Sequence, residues 1–282
     1  MREQVERKER VKAIVVGAAG KMGSRIIHII KETPLIELYQ AVERPDHPSI
    51  GADIGEIIGL GKLAIPLEGR LKKVDKTRPR EGGDVIINFT IPQTSLESLE
   101  FAKEAGLAVV IGTTGFSPEQ MEKVKELSRS VRCVLAPNMS VGVNLMFRIV
   151  QEVAQVLGPE YDIEILEAHH RLKKDSPSGT AVKLGELIAK VTHRDFNQVG
   201  VYGRKGMVGE RTKEEIGMQV IRAGDIVGEH TVLFGGVGER LEIIHRAHSR
   251  DNFARGAIRA ALWVVNQSNG LYDMQDVLGL RR

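Results

Sequence analysis

Apolar and polar residues alternate along the chain in blocks short enough to be separate strands and helices. Val11–Val16 (VKAIVV) is a β-branched run that reads as a buried strand. It passes into Gly17-Ala18-Ala19-Gly20-Lys21-Met22-Gly23, and residues 24–31 (SRIIHIIK) then have the length and composition of a helix ending before Pro34. Ile36–Val42 is the next strand and stops at Glu43-Arg44-Pro45. Strand, glycine turn, helix and strand form a βαβ unit, which implies a parallel sheet with helices on its faces. Residues 84–89 (DVIINF), Ala108–Ile111 and 131–135 continue the strand series, with helical segments at 93–105 and 118–130.

After Asn138 the pattern changes. Residues 143–157 form a long apolar helix, residues 161–168 alternate as a strand, and Gly179–Val191 is a second helix. Residues 218–223, 226–234 and Arg240–Ala247 are separated by turn signals at Gly224-Asp225 and Gly235-Gly236, and read as an antiparallel meander. Helical periodicity returns at 253–265 (FARGAIRAALWVV). Two domains are expected, with the boundary near Ser140.

A chain of 282 residues can bury two cores, and 42% hydrophobic with 27% charged residues excludes a disordered chain, a collagen-like repeat or a disulfide scaffold. Forty basic against 37 acidic side chains leave a net +3 spread along the chain, weaker and less clustered than a nucleic-acid binder shows. Cys133 is the sole cysteine, so an intrachain disulfide and a Cys-based zinc site are excluded and a reducing compartment is expected. No apolar run approaches the roughly 18 residues that span a bilayer. The first ten residues, MREQVERKER, alternate acid and base without the apolar core of a secretory signal. A cytoplasmic protein with no membrane, metal or nucleic-acid partner is expected, and the charged extension has no assigned role.

Two places carry chemistry. The first is G-x-x-G-x-x-G at Gly17, Gly20 and Gly23, between a strand and a helix. Glycine there permits a tight turn, close approach of a phosphate, and packing of helix against strand, while the helix N-terminus offers N–H groups to a pyrophosphate. Roughly 20 residues later Glu43 stands where a carboxylate binds ribose hydroxyls, and Arg44 beside it suits a 2′-phosphate. Both NADH and NADPH are therefore candidate cofactors, against the plainer reading of a tight turn with surface charges. Gly112-Thr113-Thr114-Gly115 and Ala136-Pro137-Asn138-Met139-Ser140 each follow an apolar strand, where loops line the ligand crevice of an open parallel sheet. Gly17 to Met22, Glu43, Arg44, Gly112 to Thr114 and Ala136 to Met139 are the candidate cofactor contacts.

The second is Glu167-Ala168-His169-His170-Arg171-Leu172-Lys173-Lys174-Asp175-Ser176-Pro177-Ser178-Gly179-Thr180. Ser178 is placed to cap a helix, with the N–H groups of Gly179 and Thr180 facing outward, a terminus that suits a carboxylate. Histidine as a residue type titrates near neutrality, which makes His169 and His170 candidate acid–base groups, and Lys173 can bind a carboxylate or give up a proton. Together they suit an anionic substrate that must be protonated; a basic loop with solvated histidines is the alternative. The remaining histidines, His230 and His245 among them, read as structural or surface residues.

These strings resemble the 4-hydroxy-tetrahydrodipicolinate reductase (dihydrodipicolinate reductase) family. The resemblance also runs through Arg222-Ala-Gly-Asp-Ile-Val-Gly-Glu-His230 and Gly270-Leu-Tyr-Asp-Met274, and covers nearly the whole chain after the first ten residues. It implies an α/β fold: an N-terminal Rossmann-like doubly wound parallel sheet at 1–140, completed by 250–282. It also implies an α+β substrate-binding and oligomerisation domain with a mixed sheet at 141–249, and a homotetramer. The implied reaction is hydride transfer from NADH or NADPH to a cyclic unsaturated dicarboxylate with loss of water, once the two domains close. The family pattern makes His169 the proton donor or acceptor and Lys173 the proton donor. His170 would contact substrate, Gly179 and Thr180 would cradle a carboxylate, and Arg250 is a further carboxylate-binding candidate. Asn88-Phe89-Thr90 departs from the family in lacking a usual aspartate, and Ser176 replaces a common alanine. Two rivals are another Rossmann enzyme, such as an amino-acid or semialdehyde dehydrogenase, which would show a catalytic cysteine or a different acid–base set, and a nucleotide sensor without turnover.

Overall fold

The computed structural model describes residues 10–72 and 82–281. All of the charged extension but Arg10 lies outside them. Among the described residues, those up to Met139 and those from Asp251 onward fall in one compact unit, and Ser140–Arg250 in another. No helix among them is long and apolar enough to cross a membrane.

The first unit opens with β1 (Val11–Val16), α1 (Lys21–Glu32), β2 (Ile36–Val42), α2 (Ile54–Ile57) and β3 (Leu67–Glu68). It continues with β4 (Val85–Asn88), α3 (Pro92–Ala105), β5 (Ala108–Ile111), α4 (Pro118–Ser128) and β6 (Arg132–Leu135). The second unit holds α5 (Val141–Leu157), β7 (Asp162–His169), α6 (Gly179–Val191), α7 (Phe196–Val199) and β8 (Gly200–Tyr202). Its last strands are β9 (Ile216–Arg222), β10 (Gly228–Gly235) and β11 (Arg240–Ala247). The chain then returns to the first unit as α8 (Asp251–Val264), β12 (Gly270–Tyr272) and α9 (Met274–Val277).

The first sheet is parallel, in the order β12-β6-β5-β4-β1-β2-β3. Every residue of β4 and β5 is buried, because helices cover both faces and strict alternation gives way to continuous apolar runs. Ile26, Ile27 and Ile30 of α1 join Ala257 and Ala261 of α8 against one face, on Val15, Ile87 and Val110. Leu96 and Leu99 of α3 with Val124 of α4 cover the other, on Ile14, Ile86 and Val109. Cys133 is fully buried in that second layer, and burial pushes its thiol up to about 12. Arg25 of α1 donates to both oxygens of Asp251 at 2.7 and 2.8 Å, tying the returning α8 to the first helix.

The second sheet is mixed, in the order β11-β10-β7-β9-β8. This corrects the expected meander of β9, β10 and β11. Only β10 and β11 pair; β7 lies between β9 and β10, parallel to the former and antiparallel to the latter. The five-residue link from Ala223 to Val227 is long enough to step across one strand, roughly 10 Å, so a short connection did not enforce a hairpin. Ile163 and Ile165 of β7, Val232 and Phe234 of β10, and Ile216 and Met218 of β9 form the inner face, under α5 and α6.

Candidate active site

In the first sheet the register sets Val16, Asn88, Ile111 and Leu135 side by side at the carboxyl ends of their strands. The loops that begin at Gly17, Phe89, Gly112 and Ala136 therefore leave the sheet at one level. The strand order reverses between β1 and β4, where open α/β sheets bind their ligands.

The turn after β1 is held by Gly17 and Ala18 N–H groups donating to the Val42 carbonyl at 2.9 and 3.0 Å. Gly17 has φ +75°, and a Cβ there would meet the Thr90 methyl. Gly23 lies in the first turn of α1, which starts three residues earlier than the sequence pattern predicts, and its Cβ would collide with the Gly17 carbonyl oxygen. Gly20 caps α1 with no side chain, so no side-chain oxygen of the cap occupies the first-turn N–H groups. These residues fit a dinucleotide pyrophosphate, since the cradle exists only without side chains. Glu43 turns back toward it, its Oε2 accepting from Ala19 N–H at 3.3 Å and its Oε1 from Arg44 N–H at 3.1 Å. Arg44 is exposed, its guanidinium 3.6 Å from Asp46.

Among the other expected contacts, Ala18, Thr113, Ala136 and Met139 have buried side chains, so what they offer a ligand is main chain. Thr113 accepts from Ser95 at 2.8 Å, which fixes the Gly112–Gly115 loop on α3. Lys21, Thr114 and Pro137 are exposed, and Met22 and Asn138 half-buried. Asn88 is buried and holds the neighbouring loop: its Oδ1 accepts from Thr90 N–H and O–H at 2.9 and 2.7 Å, and its amide donates to Ser98 at 2.9 Å. The amide also donates to the Thr94 carbonyl at 3.2 Å; an aspartate would keep the two bonds from Thr90 and lose this one.

In the second unit, alternation along β7 points Ile163, Ile165, Glu167 and His169 to the same face, the one beneath the helices. The row begins apolar and ends as a carboxylate and an imidazole. His169 Nδ1 lies 2.6 Å from Glu167 Oε2. Arg222, the register partner of His169 on β9, donates to both Glu167 oxygens at 2.7 and 2.8 Å. Ser178 N–H donates to Oε1 at 2.8 Å, and the Ser178 hydroxyl accepts from Ala181 N–H as the cap of α6. Burial pushes the Glu167 carboxyl up, but Arg222, His169 and Ser178 together hold it below the usual carboxylate range. Burial lowers His169 and outweighs the raising effect of Glu167.

Lys173 follows on a turn closed by its N–H to the His170 carbonyl at 3.1 Å, and its ammonium pairs with Asp175 at 2.9 Å. His170 Nδ1 is buried without a protein partner among the described residues. Gly179 is exposed, with open space where a Cβ would stand, so the N-terminus of α6 is accessible beside Thr180. Arg250 is exposed at the end of this unit.

Glu167, Arg222 and His230 received no role from the sequence. His230 is a structural residue, 4% exposed, and its surroundings are those of the site: it lies inside the cluster. It pairs with Glu167 in register, meets the Ser178 hydroxyl at 3.1 Å, and stands edge-on to His169 with ring centroids 5.3 Å apart. The E-x-H spacing at Glu167 and His169 was the available signal, because residues two apart share a strand face. His230 had none, since its strand partner is distant in sequence. Burial lowers it from about 6.5 to about 3. The unfolded chain thus takes up this proton where the folded chain does not, and stability falls as pH drops from about 6.5 toward 3. His230→Gln should flatten that part of the curve of melting temperature against pH; an unchanged slope would assign it elsewhere.

Residues 11–139 match the family model described as dihydrodipicolinate reductase, N-terminus, and residues 142–278 the one described as dihydrodipicolinate reductase, C-terminus. A 4-hydroxy-tetrahydrodipicolinate reductase of Syntrophus aciditrophicus (strain SB) is 57% identical over 271 residues, covering 96% of this chain and 99% of the relative. The enzyme of the same name from Citrifermentans bemidjiense is 54% identical over 96% of this chain and 100% of its own. Among solved structures, a dipicolinate-bound dihydrodipicolinate reductase from Paenisporosarcina sp. TG-14 superposes with a TM-score of 0.71 at 25% identity, covering 95% of this chain and 98% of that one. With both halves of the chain matched and relatives more than half identical over nearly its full length, this protein belongs to the dihydrodipicolinate reductase family.

Proposed function

We propose that the chain reduces 4-hydroxy-tetrahydrodipicolinate to tetrahydrodipicolinate, the reductase step of the diaminopimelate route to lysine. One observation carries this reading: a buried Glu167–His169 pair stands beside the open N-terminus of α6 at the end of β7. Substrate, one hydride and one proton give product and water. The nicotinamide, when bound, supplies the hydride. The protein's residues bind the anion and deliver the proton. The N–H groups and hydroxyl at Gly179 and Thr180 receive one carboxylate, and His170 and Arg250 are the further substrate contacts. His169 exchanges a proton at Nε2, and the Lys173 ammonium is the proton donor to the substrate. The rival that needs a thiolate loses support, because the Cys133 thiol is buried and held neutral.

The test is loss of the reduced-nicotinamide absorbance with the condensation product of pyruvate and aspartate semialdehyde. Folded protein that binds nucleotide and oxidises none of it would overturn the reading. Both NADH and NADPH are used in this proposal: the Glu43 carboxylate at the turn favours free ribose hydroxyls, and the Arg44 guanidinium favours a 2′-phosphate. Glu43→Gln should raise the ratio of kcat/KM for NADPH over NADH by roughly tenfold, the effect of about 1.4 kcal/mol. An unchanged ratio would remove Glu43 from the ribose site.

The same reading includes a homotetramer and a cytoplasmic location. The sheet face opposite α5 and α6 carries Ile221 and Ile244, both half-exposed, together with Leu166 and Leu233 on the same face. Ile244→Arg should lower the mass measured by light scattering below the tetramer value, while a mass unaffected by the substitution would place the interface elsewhere.

A further inference from the structure

We propose that Glu167 is the positioning residue of this site, one buried carboxylate that sets both the ring of His169 and the carboxylate-binding turn at the start of α6. The inference rests on the reading of His169 as the proton-transfer group. The Glu167 side chain is 0% exposed and accepts four hydrogen bonds, two on each oxygen. Oε2 takes His169 Nδ1 and one Arg222 nitrogen; Oε1 takes Ser178 N–H and the other. That fills the acceptor capacity of a carboxylate.

An ionised carboxylate only accepts, so His169 Nδ1 must carry hydrogen. In the neutral ring the lone pair is then on Nε2, and the charged ring gives up its proton from Nε2. A Cβ on Gly228 would stand 3.0 Å from that atom, so glycine leaves it room. The edge of His230 lies against the ring and limits its rotation. On the other side, Oε1 anchors the main chain one residue before Gly179 and Thr180, while the Ser178 hydroxyl is held between Ala181 N–H and His230 Nε2. Ring and turn therefore share one anchor, and displacement of the carboxylate would move both.

The charged and titratable groups that bear on His169 are Glu167 on its own strand, Arg222 from β9, His230 from β10 and Lys173 from the following loop. Glu167 is the only one of them that favours the imidazolium. Arg222 keeps that carboxylate charged. A purely structural ion pair would need Arg222 alone, since such pairs are often replaceable by apolar side chains. The third and fourth bonds, to a proton-transfer ring and an anion-binding turn, are what a positioning role requires.

The test uses the full-length chain with labelled histidines, following the ring resonances of His169, which are assigned by their loss in His169→Gln. In the wild type the neutral ring should be the Nδ1–H tautomer; an Nε2–H tautomer would overturn the proposal without any variant. Glu167→Gln keeps the volume and removes the charge. Its His169 midpoint should move to lower pH, kcat should fall about ten- to a hundredfold, and KM for the dicarboxylate should rise severalfold. A folded Glu167→Gln protein with the wild-type midpoint and tautomer would overturn the proposal. Lack of turnover by the wild type, with the Nδ1–H tautomer present, would sink the reductase reading alone.

Discussion

Replacement of His169 by Gln should lower kcat by about a hundred- to a thousandfold and leave the melting temperature nearly unchanged. The side chain is 11% exposed and bonded to Glu167 at 2.6 Å, and a Gln amide can donate to the same carboxylate. Size and anchoring are therefore kept while the titrating nitrogen is lost. If the proton moves in the transition state, KM stays close to its original value and kcat carries the loss. The pH dependence gives a sharper check. Burial holds His169 below the ordinary histidine value against the pull of Glu167, with Lys173 and Arg222 adding to the lowering. A step that needs the imidazolium slows as pH rises through that depressed value, so the wild-type profile should carry a limb on the acid side of about 6.5 that the variant lacks. Wild-type kcat in the variant would exclude His169 from proton transfer and shift the role to Lys173.

The second large effect belongs to the nucleotide cradle. Gly23→Ala should weaken NADH binding more than tenfold and cost about 1–3 kcal/mol of stability. Its Cβ would overlap the Gly17 carbonyl oxygen and approach the Ala18 Cα to 2.8 Å, both main-chain atoms with no rotamer to yield. That same oxygen accepts the Gly20 N–H that closes the turn, so relief of the overlap opens the cradle. Gly20→Ala is the internal control: φ −76° and ψ 171° suit any residue, and its Cβ would lie 3.2 Å from the oxygen. A titration of NADH fluorescence with a thermal melt should separate the two variants clearly. Equal affinity in both would mean that the glycines serve helix packing and not the phosphate.

Much of the architecture was legible in the chain. The spans of β1, β2, β5, α6 and β11 agree with the spans read from residue pattern. Hydrophobic strands of four to eight residues and capped helices announce themselves locally. The short elements did not: α2, β3, α7, β8 and β12 have two to four residues, too few for either periodicity to repeat. In the site, His169, Lys173 and the Ser178-Gly179-Thr180 turn were visible as a dense string. Arg222 and His230 were not, because they reach it from β9 and β10, more than 40 residues away in sequence.

What the amino-acid order determined by itself was local: which segments form strands and helices, where glycine permits a turn, and which titratable groups stand next to a helix start. Those follow from steric and hydrogen-bonding preferences over a few residues. The tertiary structure decided pairing and burial. It placed β7 between β9 and β10, although the latter two are joined by a short link that sequence alone reads as a hairpin. That single choice of neighbours sets Arg222 on one side of β7 and His230 on the other. It thereby encloses Glu167 and tunes His169, because both the field and the desolvation at a titratable group depend on residues that only the folded sheet brings within reach.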